Sequence, residues 1–266
     1  MGYQLTRVLS EKKKVIMMIL LIIVPSLEVL QIVYWNFKVG GEFPVDLPYP
    51  MYATFLSLYS MGHILQQIYL WFLPMYLLII SGEECIEDYK TGNKSILISR
   101  VGKKNYIKNK LKSGFLISSG VVGLGLLINL IVVQFVYAGG TALNYDGEYM
   151  IYDKINMPNT YLFEWSYTHP LAANLSFIVV TMLFAGLIGM IGTMLAIILH
   201  DRKLVYAITF ALWFVPILFK NSFMLVFQPF SEYGLKTLLP LGIGVGGVYF
   251  VLVIILAIME EKCIEI

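Results

Sequence analysis

The residues best placed to do chemistry lie in one stretch, 81–114. Four carboxylates come first, Glu83, Glu84, Glu87 and Asp88, and a turn signal follows at Gly92-Asn93. Eight cations accompany them: Lys90, Lys94, Arg100, Lys103, Lys104, Lys108, Lys110 and Lys112. A charged segment between long apolar runs reads as the part that faces the cytosol and meets something there. Glu28 is a different case, because it interrupts an apolar run together with Pro25. A carboxylate there costs about 2.5–3.5 kcal/mol on insertion scales, so it faces protein or water rather than lipid. Two readings stay open for it: a translocation path shared with Gln66, or a carboxylate near an outer end hydrogen-bonded to a neighbour such as Gln66. No metal site is expected. The two cysteines, Cys85 and Cys263, form no CxxC, and nothing completes a ligand set around His63. Two unpaired thiols in a reducing compartment are expected.

The rest of the chain is nearly all hydrocarbon. Its 266 residues are 58% hydrophobic and only 14% charged, where an ordinary soluble domain is about 25% charged. With a mean hydropathy of +0.76, this is an all-α polytopic membrane protein by composition. The net charge of +2 is close to neutral, and membrane lipid rather than nucleic acid is the expected surrounding.

Six transmembrane helices fit the apolar runs, at about 15–35, 53–80, 115–137, 172–199, 204–219 and 241–259. The first run follows Lys12, Lys13 and Lys14 but lacks a small-x-small cleavage site, so it reads as a span rather than a signal peptide. The second is too long for one straight span and should kink at Pro74. Residues 1–14 suit either an interfacial N-terminal helix or a basic tail. Gly2 with Thr6 also fits a short myristoylation pattern. Residues 138–171 form a long acidic, aromatic loop placed outside the cell. Residues 220–240, with Pro229, Gly234 and Pro240, are too apolar for a solvated loop and too broken for a span. A re-entrant hairpin before the last helix fits them. Gly186, Gly189 and Gly192 allow close helix approach, and so does the GIGVGG run at 242–247.

The cations set the orientation. With both termini inside, fifteen of the 19 fall in inner segments, and only Lys38, Lys154, Lys220 and Lys236 lie outside. The protein is therefore expected as a multi-pass component of a bacterial cytoplasmic membrane, with N and C termini cytosolic. The chain reads as one transmembrane domain over 1–266, with a cytosolic coupling segment at 82–112.

That segment resembles the cytosolic loop of type-2 ABC transporter permeases. The family pattern there is an acid, a Gly-Thr-like turn, an apolar pair, Ser-Arg, and a later Lys. The matching residues are Glu87 or Asp88, Gly92-Asn93, Ile96 and Leu97, Ser99-Arg100, and Lys110. Asn93 stands where Thr is usual, and a usual Pro-Val is compressed to Arg100-Val101. The resemblance extends to the order of elements along nearly the whole chain. It implies a coupling helix docked on a separate cytosolic ATPase, two ATPases per assembly, and a second permease subunit, identical or different. Glu84, Glu87, Asp88, Gly92, Ile96, Leu97 and Arg100 would then make the ATPase contact. The chain has no GxxxxGK[ST] loop, so it is expected to be no enzyme itself, with ATP and Mg on the partner and no cofactor of its own. Export of a hydrophobic or amphiphilic substrate, such as an antimicrobial or secreted peptide, is the expectation by analogy. An ion-coupled secondary transporter using Glu28 is the alternative. The Glu83-Glu84 pair also resembles the start of the EExxxR motif of CAAX-type membrane proteases, but Asp88 stands where Arg is required.

Overall fold

The computed structural model describes residues 2–40, 52, 54–57, 64–136, 162, 165–166, 168–229 and 234–262. Regular structure among the described residues is helical throughout. Helix α1 is Gly2–Ser10 and α2 is Lys12–Gly40. Then come α3 Ile64–Trp71, α4 Leu73–Leu77, a π-helical turn Leu78–Gly82, and α5 Glu83–Lys90. Helix α6 is Asn93–Val101, α7 Lys103–Val136 and α8 Pro170–Leu199. Helix α9, Arg202–Phe214, leads into two 3₁₀ turns, Val215–Leu218 and Phe223–Phe227, and α10 is Leu235–Lys262.

Three helices, α7, α8 and α10, are long and apolar enough to cross a membrane. A fourth crossing is available if the bent pair of α3 with residues 73–90 counts as one span. Several such helices mark a multi-pass membrane protein. Helix α8 is the centre of the bundle, with 67% of its apolar window buried against 17% for α10 at the edge. It packs along α7 and also meets α9, α10, α4, α5 and the π-helical turn. The glycine spacing accounts for the α7–α8 contact. A Cβ on Gly186 would strike the Phe115 ring, and one on Gly189 would strike Ser118 and lie 2.9 Å from the Gly114 carbonyl. In the GIGVGG run of α10 the packing is looser. Nothing lies within 4 Å of a Cβ on Gly244 or Gly247.

Helix α7 joins the basic stretch after Gly102 and the expected third span without a break. Its 34 residues extend about 51 Å at 1.5 Å each, so it overshoots a hydrocarbon core of about 30 Å. The expected fifth span is shorter than the sequence indicated. Helix α9 ends at Phe214 after 13 residues, about 20 Å, because Pro216 two residues later cannot donate to the helix ladder. The expected extracellular loop 138–171 lies outside the described residues, apart from 162, 165–166 and 168–171. His63, Cys263 and residues 230–233 of the expected hairpin also lie outside them.

Three prolines govern how the helices meet. Each removes the backbone donor that the carbonyl four residues earlier would have used. Pro74 deprives Leu70, and the chain bends by 58° between α3 and 73–90, as the sequence anticipated. The Trp213 indole of α9 donates to the Leu70 carbonyl at 2.8 Å. Pro216 deprives Leu212, and the Tyr249 hydroxyl of α10 donates to that carbonyl at 2.8 Å. Pro25 deprives Leu21 inside α2. There α7 closes in through Gly125, where a Cβ would sit 2.7 Å from the Leu21 oxygen. In an apolar bundle a freed carbonyl must be met from a neighbouring helix. These contacts therefore fix which helices touch and where.

The same two donors seat an aromatic cluster. Phe223 and Phe227 of the second 3₁₀ turn are buried among Trp213, Phe184 and Tyr249. Ring centroids lie 5.2 Å apart for Trp213–Phe223 and 4.9 Å for Phe184–Phe223, both edge to face.

Trp213→Phe should cost about 1–3 kcal/mol by leaving the Leu70 carbonyl buried and unmet, read as a lowered thermal midpoint in detergent. In a Pro74→Ala background the Leu70 carbonyl regains a backbone donor, and the same substitution should cost less. Equal costs in both backgrounds would contradict the pairing.

Candidate functional site

Carboxylates four apart on a helix share a face, and adjacent pairs face neighbouring directions. Helix α5 uses this to address two sides at once. Glu84 and Asp88 point inward, 4% and 0% exposed. Lys110 of α7, itself buried, donates to Glu84 at 2.7 Å and to Asp88 at 3.0 Å. Arg7 of α1 reaches the same two carboxylates, at 3.3 Å from Glu84 and in a short contact with Asp88. Glu83 and Glu87 point toward α9. The Tyr206 hydroxyl donates to Glu83 at 3.1 Å, and Arg202 lies 3.1 Å from Glu87 and 3.7 Å from Glu83. All four acids therefore bind other helices of the same chain.

Helix α6 makes a second knot on the far side of the turn. Gly92 has φ 73° and Gly102 has φ 79°, a region that penalises any residue with a Cβ. The first allows the sharp reversal from α5 to α6, where the sequence carried its turn signal. The second separates α6 from α7. From α6, the buried Lys94 reaches Glu260 of α10 at 3.1 Å. It also reaches the Ile197 carbonyl in the last turn of α8 and His200 Nε2, each at 3.3 Å. A cation at a helix C-terminus meets carbonyls that have no partner in the helix and the negative end of its dipole. His200 closes α8 in a left-handed conformation, φ 55°, and its ring stacks on Tyr89 with centroids 3.5 Å apart.

The α5–α6 unit thus ties together one end of the bundle, holding α1, α7, α8, α9 and α10. Its outer face is free of these contacts. Ile96 is 51% exposed, Ser95, Ser99 and Arg100 are exposed, and Leu97 is half-buried. Of the residues the sequence nominated for partner contact, Gly92, Ile96 and Arg100 are exposed and Glu87 is half-buried. Glu84 and Asp88 are interior. Arrayed together, the nominated residues form one helix–turn–helix with a tied inner side and an apolar-plus-basic outer side.

Glu28 and Gln66, both 1% exposed, lie toward the opposite end. The Gln66 amide donates to the Phe55 carbonyl at 2.6 Å rather than to Glu28. Asn129 of α7 accepts from the Phe55 amide at 2.8 Å and donates to the Pro25 carbonyl at 2.7 Å. Asn174 of α8 accepts from the Thr54 hydroxyl at 2.5 Å and donates to the Pro170 carbonyl at 2.9 Å. Residues 54–57 are thus clamped by three amide side chains from three helices. The sequence reading overlooked Asn129 and Asn174, although an amide inside a long apolar helix must find polar partners. It also gave Arg7 and Lys94 no role beyond topology, and Glu260 none. Cys85 is a buried free thiol beside the inner carboxylates.

Lys110→Met should remove about 3–5 kcal/mol, because two buried carboxylates would lose a shared cation. Arg202→Gln, which breaks a half-exposed pair, should cost less than about 1 kcal/mol. Thermal midpoints in detergent compare the two, and similar losses would contradict the distinction between interior and surface pairs.

No family model matches the chain, and no solved structure matches it. One curated relative does. It is 35% identical over 241 residues, which cover 91% of this chain and 90% of the relative, a Bacillus subtilis (strain 168) protein named "Uncharacterized protein YybM". At that identity and coverage, the chain belongs to the family of the Bacillus subtilis protein YybM.

Proposed function

We propose that this chain is the membrane-spanning permease subunit of an ATP-driven ABC exporter of a bacterial cytoplasmic membrane. In this reading it crosses the membrane six times with both termini in the cytosol. Helix α2 and the α9 region supply the crossings beyond the long apolar helices. Helix α1 lies in the interface, and of the expected hairpin 220–240 the part before α10, with the 3₁₀ turn Phe223–Phe227, re-enters the bundle, since 235–240 already belong to α10. Two cytosolic ATPases bind ATP and Mg, and a second permease, identical or different, completes the path. The cargo is hydrophobic or amphiphilic, for which an antimicrobial or secreted peptide is the model substrate.

The observation that carries the proposal is the α5–α6 unit. A transporter energised by a separate subunit needs a rigid element that receives force and passes it to several spans. Helices α5 and α6 are bound through charge to five other helices at one end of the bundle. The opposite face of α6 is open, with an exposed isoleucine beside an arginine. An apolar anchor rimmed by a cation suits a protein contact. The contact with an ATPase then falls to Ile96, Leu97, Arg100, Glu87 and the turn at Gly92. Glu84 and Asp88 brace this surface from behind.

A second reading, an ion-coupled secondary transporter, draws on the burial of Glu28 in α2. The two readings differ in energy source. The permease needs an ATPase, and the secondary transporter needs an ion gradient acting through Glu28.

Co-expression with P-loop ATPases, starting with any encoded beside this chain, should yield a complex that survives purification in mild detergent. Ile96→Asp and Arg100→Glu should each weaken it about 30-fold, as expected for residues at the centre of an interface, while leaving the thermal midpoint of the chain in place. A chain that purifies alone, and whose transport is abolished by Glu28→Gln under an ion gradient, would favour the second reading.

A further inference from the structure

We propose that the groove between α7, α8 and α10 is a binding site for an anionic glycerophospholipid. The groove encloses about 740 Å³, within the range of ligand cavities. Its walls are apolar and come from all three helices: Leu111 and Leu116 of α7, Leu187 and Met190 of α8, and Phe250 and Ala257 of α10. Lys104, Lys108 and Lys112 line the same groove. They stand four apart, so they form one stripe along α7. Lys110, on the same helix, sits about 200° around the axis from Lys108 and belongs to the buried knot with Glu84 and Asp88. The helix therefore divides its lysines between two tasks.

Charge and shape together select the occupant. Among the described residues that line the groove, the one carboxylate is Glu261, 3.6 Å from Lys104, with both side chains exposed. Three cations against one carboxylate leave a net positive mouth. From Lys104 to Leu116 the groove follows α7 for about 18 Å, and the lysine stripe takes about 12 Å of it. A phosphate-bearing headgroup on the lysines would place its acyl chains along Leu111, Leu116, Met190 and Phe250. A soluble anion would leave those walls uncovered. A second copy of the chain docked here by two-fold symmetry would set the lysine stripe against itself. Basic pockets between membrane helices on the cytoplasmic side are the kind of site that anionic headgroups occupy. The inference needs the membrane location but not the transport reading.

Native mass spectrometry of the purified full chain, exposed to equal amounts of phosphatidylglycerol and phosphatidylcholine, tests it. The wild-type protein should retain phosphatidylglycerol in preference. Each Lys→Gln change at 104, 108 or 112 should weaken that retention about fivefold, and all three together on the order of a hundredfold. Met190→Trp, which fills the groove without touching a charge, should lower retention of both lipids. It also keeps the proposal testable if the triple variant fails to fold. Equal retention of the two lipids by the wild type, or undiminished phosphatidylglycerol on the triple variant or on Met190→Trp, would overturn it. So would a change in oligomer mass with lipid load unaltered, which would make the groove an interface between copies.

Discussion

Four carboxylates within six residues cannot sit unpaired at the end of an apolar bundle. The rest of the charged end is arranged around meeting them. Asp88 and Glu84 are inside the protein, where removing a partner costs about 3–5 kcal/mol. They can be there only because Arg7 and Lys110 come to them from α1 and α7. Glu83 and Glu87, on the adjoining face, hold the start of α9 through Arg202 and Tyr206. Lys94 extends the linkage across the turn to α8 and α10. A displacement of α5–α6 must therefore either carry these helices with it or break buried charge pairs. That condition is what a lever requires, and it arises from ion pairing rather than from any property of the loop sequence by itself.

The apolar part of the bundle obeys a related constraint. Pro74 and Pro216 each free a carbonyl, and each carbonyl is met by a side-chain donor from a later helix, Trp213 and Tyr249. At Pro25 the neighbouring backbone itself approaches, at Gly125. The breaks that weaken individual helices thus specify their contacts. One of them also frames the aromatic cluster around Phe223 and Phe227 that joins α8, α9 and α10.

Local signals in the sequence were informative where the physics is local. The bend before Pro74, the reversal at Gly92-Asn93 and the close approach at Gly186 and Gly189 follow from residue types at single positions. The density of charge in 82–112 marked the segment on which the helices converge. Pairing was not legible, because Arg7 lies 81 residues from Asp88 and Lys94 lies 166 from Glu260. Only the packed bundle brings them together, and so two carboxylates expected on the surface turned out to be interior. The fifth apolar run looked long enough to span because hydropathy counts Pro216 and Phe219 without registering that the α-helix ends at Phe214. The clamp on 54–57 was missed because single asparagines inside apolar runs were passed over.

The central claim is that α6 faces the cytosol and is covered there by an ATPase, while α5 is held by the chain's own helices. Ser95 lies on the exposed face of α6 and can carry a reporter thiol. With Ser95→Cys in a Cys263→Ser background, a membrane-impermeant maleimide should label inverted vesicles but not intact cells, and co-expression of the partner ATPase should protect the site. Labelling from outside intact cells, or labelling of inverted vesicles unaffected by every candidate ATPase, would contradict the account.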